Sequence, residues 1–115
     1  MKNIIDVAKV IDNPSALTQE QGDRVNSLIV PYLKKHESII LDFSDVESMI
    51  SPFLNNAIGK LYENFTSEEI QKYLSFSEFP KEKIGTLNLV ISNAKKYYAN
   101  KDIFKKTVKE VIDNE

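Results

Sequence analysis

The chain has 115 residues, no cysteine and a formal charge of −2, from 15 lysines and arginines against 17 aspartates and glutamates. A domain of this size buries roughly two-thirds of its unfolded surface, enough for one core without staples. The lack of cysteine excludes disulfides, thiolate metal sites and cysteine nucleophiles, and it fits a reducing compartment.

At the amino terminus, "MKNIIDVAKVIDNPS" places Asp6, Lys9 and Asp12 too early for the apolar stretch of a signal peptide. No stretch approaches the ~20 apolar residues of a membrane span. The expectation is one domain over residues 1–115, cytoplasmic and without a membrane partner. The lysines fall in small groups interrupted by acids, rather than in the basic face of a nucleic-acid binder, so nucleic acid is not an expected partner.

In chain order, residues 3–11, "NIIDVAKVI", carry Ile4, Ile5, Val7, Val10 and Ile11 and predict a strand, with a short helix as the alternative. "DNPS" breaks it. Thr18 and Gln21 have the spacing of a capping box, and Val25, Leu28, Ile29, Tyr32 and Leu33 follow at helical intervals. Pro31 lacks a backbone donor and predicts a kink or a restart in that helix. "SIILDF", residues 38–43, is the clearest strand, an apolar run suited to cover on both faces.

A helix is predicted over 52–65, with the stripe Phe53, Leu54, Ala57, Ile58, Leu61, Tyr62 and Phe65. "YLSFSEF", residues 73–79, alternates and reads as a strand nearer the sheet edge. Helices are predicted over roughly 81–99 and 102–113. "TLNLVIS" could pass for a strand, but Ile84, Leu87, Ile91, Ala94 and Tyr98 favour the helix. Strands alternating with helices imply an α/β fold, with a small, mostly parallel sheet of three to four strands and helices packed on it. The stripes at 25–33, 53–65 and 103–112 should face inward, and Leu41 should be buried.

Few residues offer chemistry. His36, the single histidine, sits at a helix end, where its charge suits the helix dipole. Asp42 and Asp45 flank Phe43-Ser44 as a strand leaves the sheet; paired carboxylates can hold Mg²⁺, but such turns commonly recruit Asp to satisfy backbone groups. Gly22, Gly59 and Gly85 do not cluster into a phosphate loop, and no nucleophile elbow surrounds Ser51. The chain is therefore not expected to be an enzyme, to contain catalytic residues, or to need a metal or organic cofactor. Ser51 followed by Pro52 has the form of an N-cap and first helical residue, so its hydroxyl should accept from the N–H of Phe53 or Leu54.

The stretch "IILDFSDVESMISPFLNNAIGKLYENF" resembles the STAS-like domain family, relatives of bacterial anti-sigma factor antagonists. The features that match are Leu41-Asp42-Phe43 ending a strand, the turn from Val46 to Leu54, and Ala57-Ile58-Gly59 in the next helix. Upstream, "NPSALTQEQGDRVNSLIVPYL" is similar to the segment preceding that strand. The resemblance implies a STAS-like fold and a regulatory protein that binds proteins. Its partner would be a GHKL-type kinase, a histidine-kinase-like ATPase, that phosphorylates a Ser or Thr at the start of the helix.

Ser51 matches that position and is the candidate phosphorylation site. Antagonists usually have Asp before it and Ser or Thr after it; here Ile50 and Pro52 occupy those places. The surface around residues 44–60, with Asp45, Glu47, Ser48, Ser51, Asn55 and Asn56, is the expected partner contact. The alternative is a structural or self-assembling subunit, a homo-oligomer, in which Ser51 only caps the helix.

Overall fold

The computed structural model describes residues 3–113, with side chains up to Ala99. Strand β1 (Ile4–Asp6) runs directly into helix α1 (Val7–Ile11). The strand expected over residues 3–11 is therefore shorter and ends in the alternative helix. Asp6 ends it, because its carboxylate accepts from the Lys9 N–H at 3.2 Å and caps α1.

After a two-residue strand β2 (Ser15–Ala16), helix α2 (Gln19–Lys34) opens with the expected capping box. The Gln21 N–H donates to the Thr18 hydroxyl at 3.1 Å, and the Gln21 side chain accepts from the Thr18 N–H at 3.0 Å. Helix α2 runs through Pro31 without ending or restarting. Pro31 is exposed, so the carbonyl it fails to serve, four residues back at exposed Ser27, faces water. The helix closes on His36 at φ 58°, with the N–H groups of His36 and Glu37 donating back to the Leu33 and Tyr32 carbonyls.

Strand β3 (Ile39–Asp42) is the centre of a three-stranded parallel sheet in the order β1-β3-β5, where β5 is Leu74–Ser77. Ile5, Leu41 and Phe76 lie side by side in it. The sheet edge expected for 73–79 is where β5 lies. Ile39 and Leu41 are fully buried, while Ile40 and Asp42 are half-buried, so the two faces of β3 are covered unequally. Full burial of a side chain such as Leu41 contributes ~1.5–3 kcal/mol. Phe43, Phe76 and Phe79 close the end of the sheet, with ring centroids 5.0–6.1 Å apart.

A second, minimal parallel pair joins β2 to β4 (Ser48–Met49). The segment expected as one helix over 52–65 is helical but wound in three ways. It begins as α3 (Ser51–Leu54), loosens to a π-helical turn over Asn55–Gly59, and ends as α4 (Leu61–Asn64). Its inner face is as expected: Phe53, Leu54, Ala57, Ile58 and Leu61 are buried, with Tyr62 and Phe65 packed at the margin. Val25, Ile29 and Leu33 of α2 meet them, while Leu28 of the same expected stripe is exposed.

Helix α5 (Ser67–Tyr73), capped by Thr66 and Glu69, leads into β5. The two helices expected at 81–99 and 102–113 are a single element, α6 (Ile84–Asp113), preceded by a 3₁₀ turn at Lys81–Lys83. Leu87 and Val90 anchor α6 on the core, whereas Ile84 stays exposed. The stripe at 103–112 lies outside the described side chains. The result is the expected α/β fold, a small parallel sheet with helices packed on it.

Candidate functional site

The expected site is built where β4 leaves its short pairing with β2. The Glu47 N–H donates to the Pro14 carbonyl at 2.7 Å, and the Ile50 N–H to the Ala16 carbonyl at 3.1 Å. Between them Ala16 pairs with Met49, both buried. The next residue on each segment, Leu17 and Ile50, therefore emerges side by side at the end of the pairing, 43% and 41% exposed.

Ser51 follows immediately and is exposed, but it does not cap the helix. The N-cap is Ile50, extended at φ −131°, ψ 167°, whose carbonyl accepts the Leu54 N–H at 3.4 Å. Its pairing to Ala16 holds Ile50 in that extended form, and the helix starts one residue earlier than expected. Ser51 becomes the first helical residue and Pro52 the second. Among the described residues, the Ser51 hydroxyl has no hydrogen-bond partner.

Asp45, Glu47, Ser48 and Asn55 are exposed, as expected of a contact surface. They do not form one even rim. Asp45 lines a shallow depression of about 460 Å³ with Asp6, Asp12 and Asn13, beyond the carboxyl ends of β1 and β3. Asn55 lies one helical turn past Ser51, on the π-helical turn. Asn56 departs from the expectation: it is half-buried and donates to the Asp23 carboxylate at 3.0 Å, beside the Lys60 ammonium at 2.6 Å. Hydrogen bonding from Lys60, helped by Asn56, holds the Asp23 carboxyl below its ordinary range. Asn56 thus ties the helix to α2. The other candidate carboxylate, Asp42, accepts from the Ser44 N–H at 2.9 Å and serves the turn.

Close approach of two helices sets this geometry. A Cβ on Gly22 would collide with the Phe53 carbonyl oxygen and come within 2.8 Å of the Asn56 Cβ, so α2 can lie against the helix only as glycine. That same glycine explains why Leu17 is exposed. Leu17 precedes the Thr18 cap, where an apolar residue commonly packs on the fourth helical residue. Here the fourth residue is Gly22, which has no side chain to pack against. The signal for Leu17 was therefore present in the spacing Leu17, Thr18, Gly22, although sequence reasoning did not single it out.

Comparison with protein-family models matches residues 21–83, more than half of the chain, to a family described as a STAS-like domain of unknown function (DUF4325). The chain belongs to this family. The match takes in most of α2, β3, the Ser51 helix start and β5, while Leu17 and β2 lie just before it. Comparison with curated proteins and with solved structures gave no match. Among its described residues, no helix is long and apolar enough to cross a membrane.

Proposed function

We propose that this STAS-like domain is a non-enzymatic, cytoplasmic regulatory module of one domain that binds a protein partner through the surface around residues 44–60. The observation that carries the reading is a free hydroxyl beside an apolar pair. Ser51 is exposed and unbonded, and Leu17 and Ile50 stand next to it with Asp45, Glu47, Ser48 and Asn55 around them. A side chain with no structural employment, set against apolar surface, suits a contact that can be modified.

The partner class that fits is a GHKL-type kinase or ATPase able to phosphorylate Ser51, as the family resemblance implies. A partner covering Leu17 and Ile50 must exclude water from Ser51. A phosphate there carries −1.5 to −2 charges, which resist desolvation, and the bound form is therefore the unphosphorylated one.

Affinity capture with the purified domain, followed by calorimetry on the captured ATPase, tests this. Leu17→Asp and Ser51→Asp should each weaken binding about tenfold or more, a loss of ~1.4 kcal/mol, while Ser51→Ala binds as wild type. Equal affinity for wild type and Ser51→Asp removes the switch. A homo-oligomer that dissociates on Leu17→Asp, with no ATPase captured, replaces the reading with a self-assembly surface.

A further inference from the structure

A cleft of about 250 Å³ lies on the far side of the helix from α2, between β5, α5 and α6, and plays no part in the surface above. Buried Ile58, Ile70 and Leu74 form its floor, and half-buried Tyr62, Phe76 and Ile91 its walls. Helix α6 runs along it through Asn88, Ile91 and Lys95. These residues share one helix face and place Lys95 about 10 Å from Asn88 along the axis. The exposed Gln71 also lines it, so the cleft is an apolar trough with two amides on its rim and a cation at one end.

The cationic end is exposed and carries no ion pair among the described residues. The Lys95 ammonium lies 6.0 Å from the centroid of the Tyr62 ring. Among the described residues it has no carboxylate within ion-pair distance, and the Tyr62 hydroxyl has no hydrogen-bond partner. Burial raises the Tyr62 hydroxyl above its ordinary titration range, so it remains a donor at neutral pH. No acidic residue lines the cleft. The wider, more open depression on the other side of Tyr62 and Lys95, about 350 Å³, contains Glu63 and offers no such charge selection.

We infer that this cleft binds a short-chain amphipathic monocarboxylate. The carboxylate would pair with Lys95 and accept from the Tyr62 hydroxyl. The chain would lie over Ile58, Leu74 and Phe76 toward Asn88. An apolar floor with one orienting charge is the usual composition of a small-molecule site, here somewhat below the usual size and so suited to a short chain.

The test titrates octanoate into the full chain by calorimetry and follows backbone amide shifts, with octanol and octylamine as controls. Octanoate should shift Ile58, Leu74 and Phe76 and bind about tenfold or more tighter than either control. Lys95→Met should reduce octanoate to the level of octanol and leave octanol unchanged, and Lys95→Glu should reverse the preference toward octylamine. Ser51→Asp should bind octanoate as wild type does, which separates this site from the docking surface. Absence of binding, shifts confined elsewhere, or unchanged octanoate affinity in Lys95→Met overturns the inference. Equal binding of octanoate, octanol and octylamine also overturns it.

Discussion

Two helix starts in this domain place a hydroxyl residue before an apolar stripe and use it in opposite ways. At Thr18 the hydroxyl accepts the Gln21 N–H while the Gln21 side chain returns to the Thr18 backbone. At Ser51 the residue three positions on is Leu54, fully buried and unable to reciprocate. The extended residue at that start is Ile50, held by Ala16. A hydroxyl before a helix becomes a cap only when its own residue is the extended one and the first turn can answer it. Thr66, with Glu69 three residues on, satisfies both conditions. Ser51 satisfies neither, and for that reason its hydroxyl stays available at the surface.

The comparison breaks most visibly at Gly22, which belongs to the first turns of α2 yet touches the carbonyl of Phe53 in the second start. Gly22→Ala should destabilise by about 1–3 kcal/mol or more, because the obstacle is backbone and cannot swing aside; urea denaturation measures it. The caps themselves give the next effect. Thr18→Ala should lose ~1 kcal/mol, whereas Ser51→Ala should stay within about 0.5 kcal/mol of wild type in the same assay. An equal loss at both positions would restore Ser51 as a cap.

The smallest effect is the pH dependence of the contact between the two helices. Asp23 has a folded pKa below its unfolded value, so its contribution is present above the unfolded pKa and fades as pH falls through the folded one. The pair with Lys60 is half exposed and should be worth less than about 1 kcal/mol. Asp23→Asn should remove this acid-side slope, and added salt should shrink it in the wild type.

Much of this was legible in the residues. β3 is a bare apolar run, and the capping box at Thr18 fixes the start of α2. The cap at Thr66 was equally plain in "TSEE", though only the strand after it was read, and Asp6 hid a cap inside a run of β-branched residues. β2 and β4 were not legible, since two residues cannot show a period.

The π-helical turn was not read, since the stripe over 52–65 passes for a regular helix, although its spacing bears a trace of it. The buried positions 53, 57 and 61 recur every fourth residue, and on a plain α-helix such a repeat drifts about 40° per turn. The looser turn at Asn55–Gly59, where the Lys60 N–H reaches back five residues to the Asn55 carbonyl at 3.0 Å, takes up that drift. At the candidate site, Ser51 and its exposed neighbours could be read from local pattern. Leu17 and the engagement of Asn56 depend on what α2 brings from elsewhere in the chain.

The loosened turn also sets what lengths of chain this segment can accept. Removing a single residue between Asn55 and Gly59 would leave enough chain for an uninterrupted α-helix, and local hydrogen bonding would improve. The loosened turn holds one residue more than the α-helical turn it replaces, so everything downstream would face the core nearly as before. Leu61, buried at 1% exposure, would stay on the inner face. Gly59, where an added Cβ would lie 3.7 Å from Val90 and Ala94 of α6, would still face that helix. Adding a residue elsewhere in the helix is the costly change, because it would turn Leu61 off the core by about 100°.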